Sequence, residues 1–410
     1  MNLSILILSI VLTLIATRTL FPIKLAIWQI MLGGALSVLL TGQIEPILAL
    51  QAINLHVMFF LFGVFVIGQA MEESGYLGHL SYKLFSCATT IDGLLLLILF
   101  GIGALSALLM NDTLAIIGTP IVLHLANQHR LPPKALLLCL AFAVTIGSVA
   151  SPIGNPQNLI ISLQGDVANP FVLFFNSLGL STCINLLVAF ILIKLFFRNQ
   201  LHKLPLTYSL EPIKDKNLAR LCKISLITLA LLILVKIISV SFNAFENFKL
   251  TYIALLSVIP ILALNPKRLQ VVKQIDWHTL VFFASMFILM KSVWNSNLFI
   301  DLLNNSSADL NSISAILGIS VSLSQLISNV PMVALYLPIL SEGEVMTDQL
   351  VALAAGSTLA GNLFIMGAAS NVIIIQKAEK ISGETLGFFE FAKIGLPLTL
   401  INVWICWIFI

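Results

Sequence analysis

Ser151-Pro152-Ile153-Gly154-Asn155-Pro156-Gln157-Asn158 interrupts an apolar run that extends from Ala135 to Val149 and resumes at Leu159-Ile160-Ile161. No α-helix passes through this stretch unbroken: two prolines fix φ and lack a donor, and Gly154 admits backbone shapes closed to other residues. In a water-soluble chain it reads as an ordinary polar turn. Here the surroundings decide otherwise. Of the 410 residues, 59% are hydrophobic and 10% charged, and the mean hydropathy is +1.05. That composition belongs to a polytopic membrane protein. Open backbone at bilayer depth is tolerated only where protein or a wet cavity satisfies it, so the stretch is expected to form one wall of a binding site.

The formal charge of +3 and the lack of a dense Lys/Arg block exclude a phosphate-tracking surface, and no nucleic-acid partner is expected. The five cysteines stand singly, without CxxC or ligand spacing, and read as small buried apolar residues. Leu3 to Ala16 lacks the basic flank and cleavage site of a signal peptide and is kept as a first spanning helix. P-loop, HExxH and Gly-x-Ser-x-Gly signatures are missing, so no enzyme activity and no organic cofactor are expected.

A spanning helix takes about 20 mostly apolar residues. On that criterion helices are expected at about 3–20, 22–42 and 52–71, the last ending in Glu72-Glu73-Ser74-Gly75. The apolar stretch 93–125 carries Asn111-Asp112 in its middle and reads as a re-entrant hairpin with two short arms. The broken helix follows at 135–163, then a helix at 170–196. Residues 198–220 are rich in Lys and Arg with Pro205 and Pro212 between them, and form a basic cytoplasmic linker between a first repeat, 1–197, and a second, 221–410. The second half runs through helices at 221–241, 250–264 and 277–295. A hairpin at 312–340 is broken at Ser328-Asn329-Val330-Pro331, a helix at 348–376 is broken around Gly361 to Asn371, and a last helix lies at 387–409.

The halves also match in letters. Ile53-Asn54-Leu55-His56 and Ile275-Asp276-Trp277-His278 stand 222 positions apart. Ser106, Asn111 and Pro120 match Ser324, Asn329 and Pro338 at 218, and Gly154, Asn158 and Ile160 match Gly367, Asn371 and Ile373 at 213. Three matches in one order with drifting offsets indicate duplication. With five crossings, one re-entrant hairpin and one broken helix per copy, the second copy is turned upside down. Two inverted repeats with paired broken helices are the plan of secondary transporters, with the substrate near the midplane. If both termini lie outside, 18 of the 21 basic residues fall on inner loops, leaving Lys236, Lys249 and Lys291 outside. The positive-inside rule therefore supports ten crossings with outward termini.

Where a hairpin tip meets a helix break, helix N-termini can hold an anion and the carbonyl ends of the preceding half-helices suit Na⁺. Candidate substrate-binding residues are Asn111, Thr113, Asn155 and Asn158 in the first copy and Ser328, Asn329, Ser370 and Asn371 in the second. Asp112, Ser151, Gly154 and Gly367 are candidate sites for a coupling Na⁺ or H⁺. Asn111 or Asp112 could equally cap the following arm, and Pro156 and Pro331 could be first-turn prolines. A carboxylate at bilayer depth is expensive enough to be a functional hypothesis by default. If one copy alone holds the coupling cation, the first is favoured, because it has the carboxylate. Lys291 reads as a snorkelling residue, His56 and His278 as interfacial, and Glu72 and Glu73 as a solvated helix end.

At Asn111-Asp112-Thr113-Leu114-Ala115 with Thr119-Pro120-Ile121-Val122, the chain resembles the ion-transporter superfamily of citrate transporters, divalent anion/sodium symporters, arsenite-efflux permeases and some sodium/proton antiporters. The stretches Ser151 to Asn158 and Ser324 to Pro331 look most like its uncharacterised bacterial anion-permease branch. The resemblance spans nearly the whole chain. It implies a small anion, a di- or tricarboxylate or an inorganic oxyanion, carried together with Na⁺ or H⁺. It also implies a homodimer in the lipid bilayer and elevator-like movement of the hairpin and broken-helix unit. In the sodium/dicarboxylate symporters both tips carry Ser-Asn-Thr; here they are Asn111-Asp112-Thr113 and Ser328-Asn329-Val330. The Asp resembles the arsenite and sodium/proton members, so two other activities stand beside the first: a sodium/proton antiporter, and an arsenite-type permease channel subunit working with an ATPase.

Overall fold

The computed structural model describes residues 3–17, 26–165, 167, 169–201, 213–241, 249–296, 310–340, 346–383 and 386–410. Among them the regular elements are all helical. The first half contains α1 (Leu3–Thr17), α2 (Ile27–Leu40), α3 (Pro46–Ala52), α4 (Leu55–Ser74), α5 (Tyr76–Phe85), α6 (Ile91–Leu97), α7 (Gly103–Leu109), α8 (Asn111–His129), α9 (Pro133–Ser148), α10 (Pro156–Gln164) and α11 (Pro170–Phe196). The second contains α12 (Lys216–Ser241), α13 (Leu250–Leu264), α14 (Arg268–Gln274), α15 (Trp277–Trp294), α16 (Ile313–Ile327), α17 (Asn329–Leu340), α18 (Thr347–Leu359), α19 (Ala369–Ser382) and α20 (Phe388–Phe409). Much of the linker, 202–212, and the acidic loop with Glu342 and Glu344 lie outside the described residues.

By length and composition, six helices among the described residues can cross a membrane: Leu55–Ser74, Ile91–Leu109, Pro170–Phe196, Lys216–Lys236, Trp277–Trp294 and Phe388–Phe409. One of these corrects an expectation. The first hairpin does not have two short arms. A π-turn at Ile98–Ile102 joins α6 to α7 without a break, giving a 19-residue arm, and α8 is also 19 residues, about 28 Å each at helical rise. No residue between Ile91 and Leu109 breaks a helix strongly enough to end it earlier. Three short helices were not expected from hydropathy: α3, α5 and α14.

The order of elements recurs between the halves. Short α3 precedes α4, whose N-cap Asn54 accepts from the Val57 N–H; short α14 precedes α15, whose N-cap Asp276 accepts from the Thr279 N–H. Both hairpin tips turn through a non-glycine residue at positive φ, Met110 (69°) and Ser328 (71°), 218 positions apart. Each such residue holds about 1–3 kcal/mol of strain, which shared letters alone would not predict. The packing recurs with the halves exchanged. The first half's α2 lies on α15, and α13 lies on α4; α7 and α8 pack on α9, and α16 and α17 on α18; α19 packs on α8, and α10 on α17.

At the centre stand the first segments of the two broken helices. Every residue from Ala135 to Ser148 in α9 and from Leu350 to Leu359 in α18 is buried, as their all-round apolarity requires. Lipid tails give apolar helices no hydrophobic reason to associate, so close packing through small residues does the joining. A Cβ on Gly147 would stand 2.3 Å from the Gly103 Cα, so α7 and α9 touch backbone to backbone. Gly147→Leu is therefore expected to push the hairpin arm off α9. Overpacking of this kind costs about 1–3 kcal/mol, occasionally more, and should lower the thermal unfolding temperature of the detergent-purified protein.

Candidate functional site

Each hairpin tip meets a helix break. In the first copy the Asn111 N–H donates to the Gly154 carbonyl at 2.9 Å, and the Asn111 side chain accepts from the Asp112 N–H at 2.9 Å. In the second, Asn329 Nδ2 lies 3.6 Å from where a Cβ on Gly361 would stand. The breaks span 149–155 and 360–368, so Asn158, Ser370 and Asn371 fall in the first turns of α10 and α19. Gly154 and Gly367 serve one purpose. An added Cβ would stand 2.5 Å from the Ser148 carbonyl oxygen or 2.8 Å from that of Ala360, so only glycine lets the chain fold back onto the end of the preceding helix.

The first break is closed by its own side chains. Asn155 caps α10, its oxygen accepting from the Asn158 N–H at 2.8 Å, and its amide donates to Ser148 Oγ at 3.0 Å and Thr358 Oγ1 at 3.1 Å. Asn158 Nδ2 reaches the carbonyls of Ser148, Val149 and Ser151 at 3.2, 3.3 and 3.0 Å, and its oxygen accepts from Thr358 Oγ1 at 3.2 Å. Gln157 donates to the same hydroxyl at 3.3 Å, and Ser151 Oγ accepts from the Ile153 N–H at 3.3 Å. All these hydrogen bonds lie in the protein interior. Thr358, from the second half, thus holds three side chains of the first break.

The second break differs. Asn371 Nδ2 repeats the backward reach, donating to the Gly361 carbonyl at 2.6 Å, and Gln325 Nε2 donates to that of Ala360 at 2.7 Å. Yet Asn371 Oδ1, Ser370 Oγ, Asn329 Oδ1, Thr145 Oγ1 and both polar atoms of Asn362 are buried with no hydrogen-bond partner in the protein. Buried polar groups are rarely left so. Ser328 is half-buried at the tip.

Asp112 and Thr113 face another way. With Gly68, Gln69 and Glu72 of α4 and Lys273 to His278 of the α14–α15 turn they line a cleft of about 580 Å³, within the range of small-molecule sites. The hairpin lies flush on α4 because Gly68 has no side chain: a Cβ there would stand 2.5 Å from Thr113 Cγ2. Three carboxylates, Glu72, Asp112 and Asp276, face one lysine, Lys273, which gives the cleft an acidic balance. At its edge Lys377 of α19 pairs with Glu72 at 3.4 Å, both partly exposed. His278 stacks on Trp28 with centroids 4.9 Å apart and lines the cleft, whereas His56 meets Lys249 at 3.1 Å on an exposed edge. Lys291 is exposed, as a snorkelling residue would be.

The structure therefore brings Asn155 and Asn158 together with Ser151 and Gly154, and sets Asn329 and Asn371 each against Gly361, with Ser370 beside Asn371 at the start of α19, but turns Asp112 and Thr113 toward the cleft. Sequence reasoning missed Thr145 and Thr358, which stand inside uninterrupted apolar runs; their separation of 213, the same as that of Asn158 and Asn371, was the available signal. It also missed Asp276, which carries a helix cap and reads as nothing more.

A family model described as citrate transporter matches residues 10–354. Among curated proteins, the chain is 27% identical over 371 residues to an uncharacterized transporter of Mycobacterium bovis, covering 86% of this chain and 84% of that one. It is 26% identical over 373 residues to a 46 kDa membrane protein of Mycobacterium leprae, with coverage of 86% and 84%. It is 25% identical over 439 residues to the P protein of Mus musculus, covering 85% of this chain and 53% of that longer protein. Among solved structures, the Alcanivorax borkumensis YdaH transporter, described as having an unusual topology, shares the fold with a TM-score of 0.59 at 15% identity over 99% of this chain and 96% of that one.

Proposed function

This chain belongs to the citrate transporter family, a family of multi-pass membrane transporters, and from that premise we propose a secondary active transporter. It moves a small anion, a di- or tricarboxylate or an inorganic oxyanion, across the bacterial inner membrane, coupled to Na⁺ or H⁺. The observation that carries this reading is the twofold meeting of a hairpin tip with a helix break deep in the helical core, Asn111 on Gly154 and Asn329 beside Gly361. Two half-sites of one plan, with packing partners exchanged between the halves, are what an inverted duplication produces, and such sites serve substrates at the midplane. Asp112 is the coupling carboxylate, loaded from the acidic cleft. The reading includes a homodimer with its termini outside, and the hairpin and broken-helix unit moving along α4 at the Gly68–Thr113 contact.

Proteoliposomes test it. Uptake of labelled citrate, succinate or phosphate driven by an imposed Na⁺ or pH gradient is expected. Na⁺-dependent proton movement with no anion would make the protein a sodium/proton antiporter instead. A requirement for an added ATPase would make it a permease subunit of the arsenite type.

A further inference from the structure

The two breaks share a backbone plan, but their side chains differ systematically. At a separation of 213, Thr145 matches Thr358, Gly154 matches Gly367 and Asn158 matches Asn371. Ser148, Asn155 and Gln157, the side chains that fill the first break, match Gly361, Ala368 and Ser370. Every one of the three is cut back in the second copy. Two consequences are visible. First, Asn155 caps α10, whereas the residue at the cap position of α19 is Ala368 and no side chain caps that helix. Second, Thr358 Oγ1 is bonded by Asn155, Gln157 and Asn158, whereas its counterpart Thr145 Oγ1 is unpartnered, and so are Ser370 Oγ and Asn371 Oδ1. All three side chains are at most 1% exposed.

We infer that the half-sites have diverged: the first is a permanent clasp between the two broken helices, and the second alone binds the carboxylate of the transported anion, at the uncapped start of α19. The inference rests on the transport reading and deepens it. The N-terminus of a 14-residue helix carries donors and partial positive charge, and the hydroxyls of Ser370 and Thr145 add two further donors. In the first copy Asn155 already occupies the equivalent position with its own oxygen. Asn371 Nδ2 is engaged by the Gly361 carbonyl, so its free atom is an acceptor, as is Asn329 Oδ1. A fully deprotonated oxyanion such as sulfate brings acceptors only and would leave these two oxygens unpaired. A small hydroxycarboxylate brings carboxylate oxygens for the donors and a hydroxyl proton for an acceptor, and is the class that fits.

The test uses the full-length protein in detergent with Na⁺ present, titrated with malate, with succinate, which lacks only the hydroxyl, and with chloride, while thermal stability is followed. Malate is expected to stabilise the wild type as a single site per chain, at a half-saturating concentration at least about tenfold below that of succinate, because a site built around a hydroxyl disfavours the analogue lacking it. Ala368→Asn, which restores the missing cap, and Ser370→Ala should each raise the malate half-saturation about tenfold, the loss of one charge-assisted contact. Gln157→Ser should lower ligand-free stability by breaking a bond to Thr358, yet leave the malate half-saturation within about twofold, since additivity holds for separate sites. The inference is overturned if Gln157→Ser removes the malate response, if Ala368→Asn and Ser370→Ala leave it unchanged, or if malate and succinate act alike or not at all. In that last case, gradient-driven uptake of another anion leaves the transport reading standing, and no uptake of any solute removes both.

Discussion

Asp112→Asn is expected to reduce gradient-driven transport to the level of protein-free vesicles while the protein remains folded in the membrane. Asp112 is the second residue of α8, where a helix N-terminus favours negative charge, and it is a buried residue that lines the cleft together with Gly68, Gln69, Ile116 and Asp276. A carboxylate at this depth is costly and needs a reason to be there. Under the proposed function, binding and releasing a cation supplies one: the charge would let Na⁺ or H⁺ be taken from the acidic cleft, and neutralisation would let the tip move along α4. Asparagine keeps the shape and the acceptor oxygen but can neither bind a proton nor carry a charge. The same backbone contacts hold the tip, Asn111 N–H on Gly154 and Asn111 Oδ1 on the Asp112 N–H, so folding is spared. Flux assays in proteoliposomes, paired with thermal unfolding of the same preparation, check both halves of the statement. Flux equal to wild type in the variant sinks the assignment of Asp112.

Asn158→Leu has the opposite expected signature, loss of the fold itself. Leucine matches asparagine in bulk, but in a site with no exposure the Val149 carbonyl would lose its donor and the Thr358 hydroxyl its acceptor, and the carbonyls of Ser148 and Ser151 would keep only the longer bonds from Ser151 N–H, Asn155 Nδ2 and Gly154 N–H at 3.3–3.4 Å. Each unsatisfied buried group costs about 1–3 kcal/mol, so two of them cost at least about 2 kcal/mol, a large fraction of the stability of most domains. Thr358→Val should cost less. It removes one hydroxyl, and Asn155 keeps its bonds to Ser148 while Asn158 keeps its three carbonyls. The expected order of damage in thermal unfolding is Asn158→Leu, then Thr358→Val, then Gln157→Ser. A Thr358→Val variant less stable than Asn158→Leu would mean that the link between the halves, and not the closure of the break, carries the energy.

The helix breaks and hairpin tips were legible because Pro, Gly and Asn in a long apolar run leave the backbone few alternatives. The same reasoning located both members of each pair, since a duplicated break needs the same glycine: Gly154 and Gly367 each pack on a carbonyl. What the letters could not convey was direction. Neighbours at the start of a helix point about 100° apart, so Asn111 turns to the break and Asp112 to the cleft, although they read as one tip. Nor does a residue announce its partners. Asn158 and Asn371 are the same residue at matching positions, yet the oxygen of one is bonded by Thr358 and that of the other by nothing. The cause lies in Gln157 and Asn155 against Ser370 and Ala368, and in a threonine about 200 positions away. Helices α3, α5 and α14 escaped for a plainer reason: they are seven to ten residues long, below what hydropathy windows detect.

The Lys377–Glu72 pair bears on how long the cleft keeps its present shape. It joins α19, which carries the second half-site, to α4, along which the hairpin unit would travel, so any such travel must first separate the two charges. Both side chains are partly solvated, and an ion pair of this kind is worth roughly 0–1 kcal/mol and weakens as salt rises. A bias of that size changes the ratio of two conformations by up to about fivefold. That is enough to set a dwell time without trapping the protein. Ionic strength would then act as a throttle on turnover, through a contact that touches neither substrate nor coupling ion.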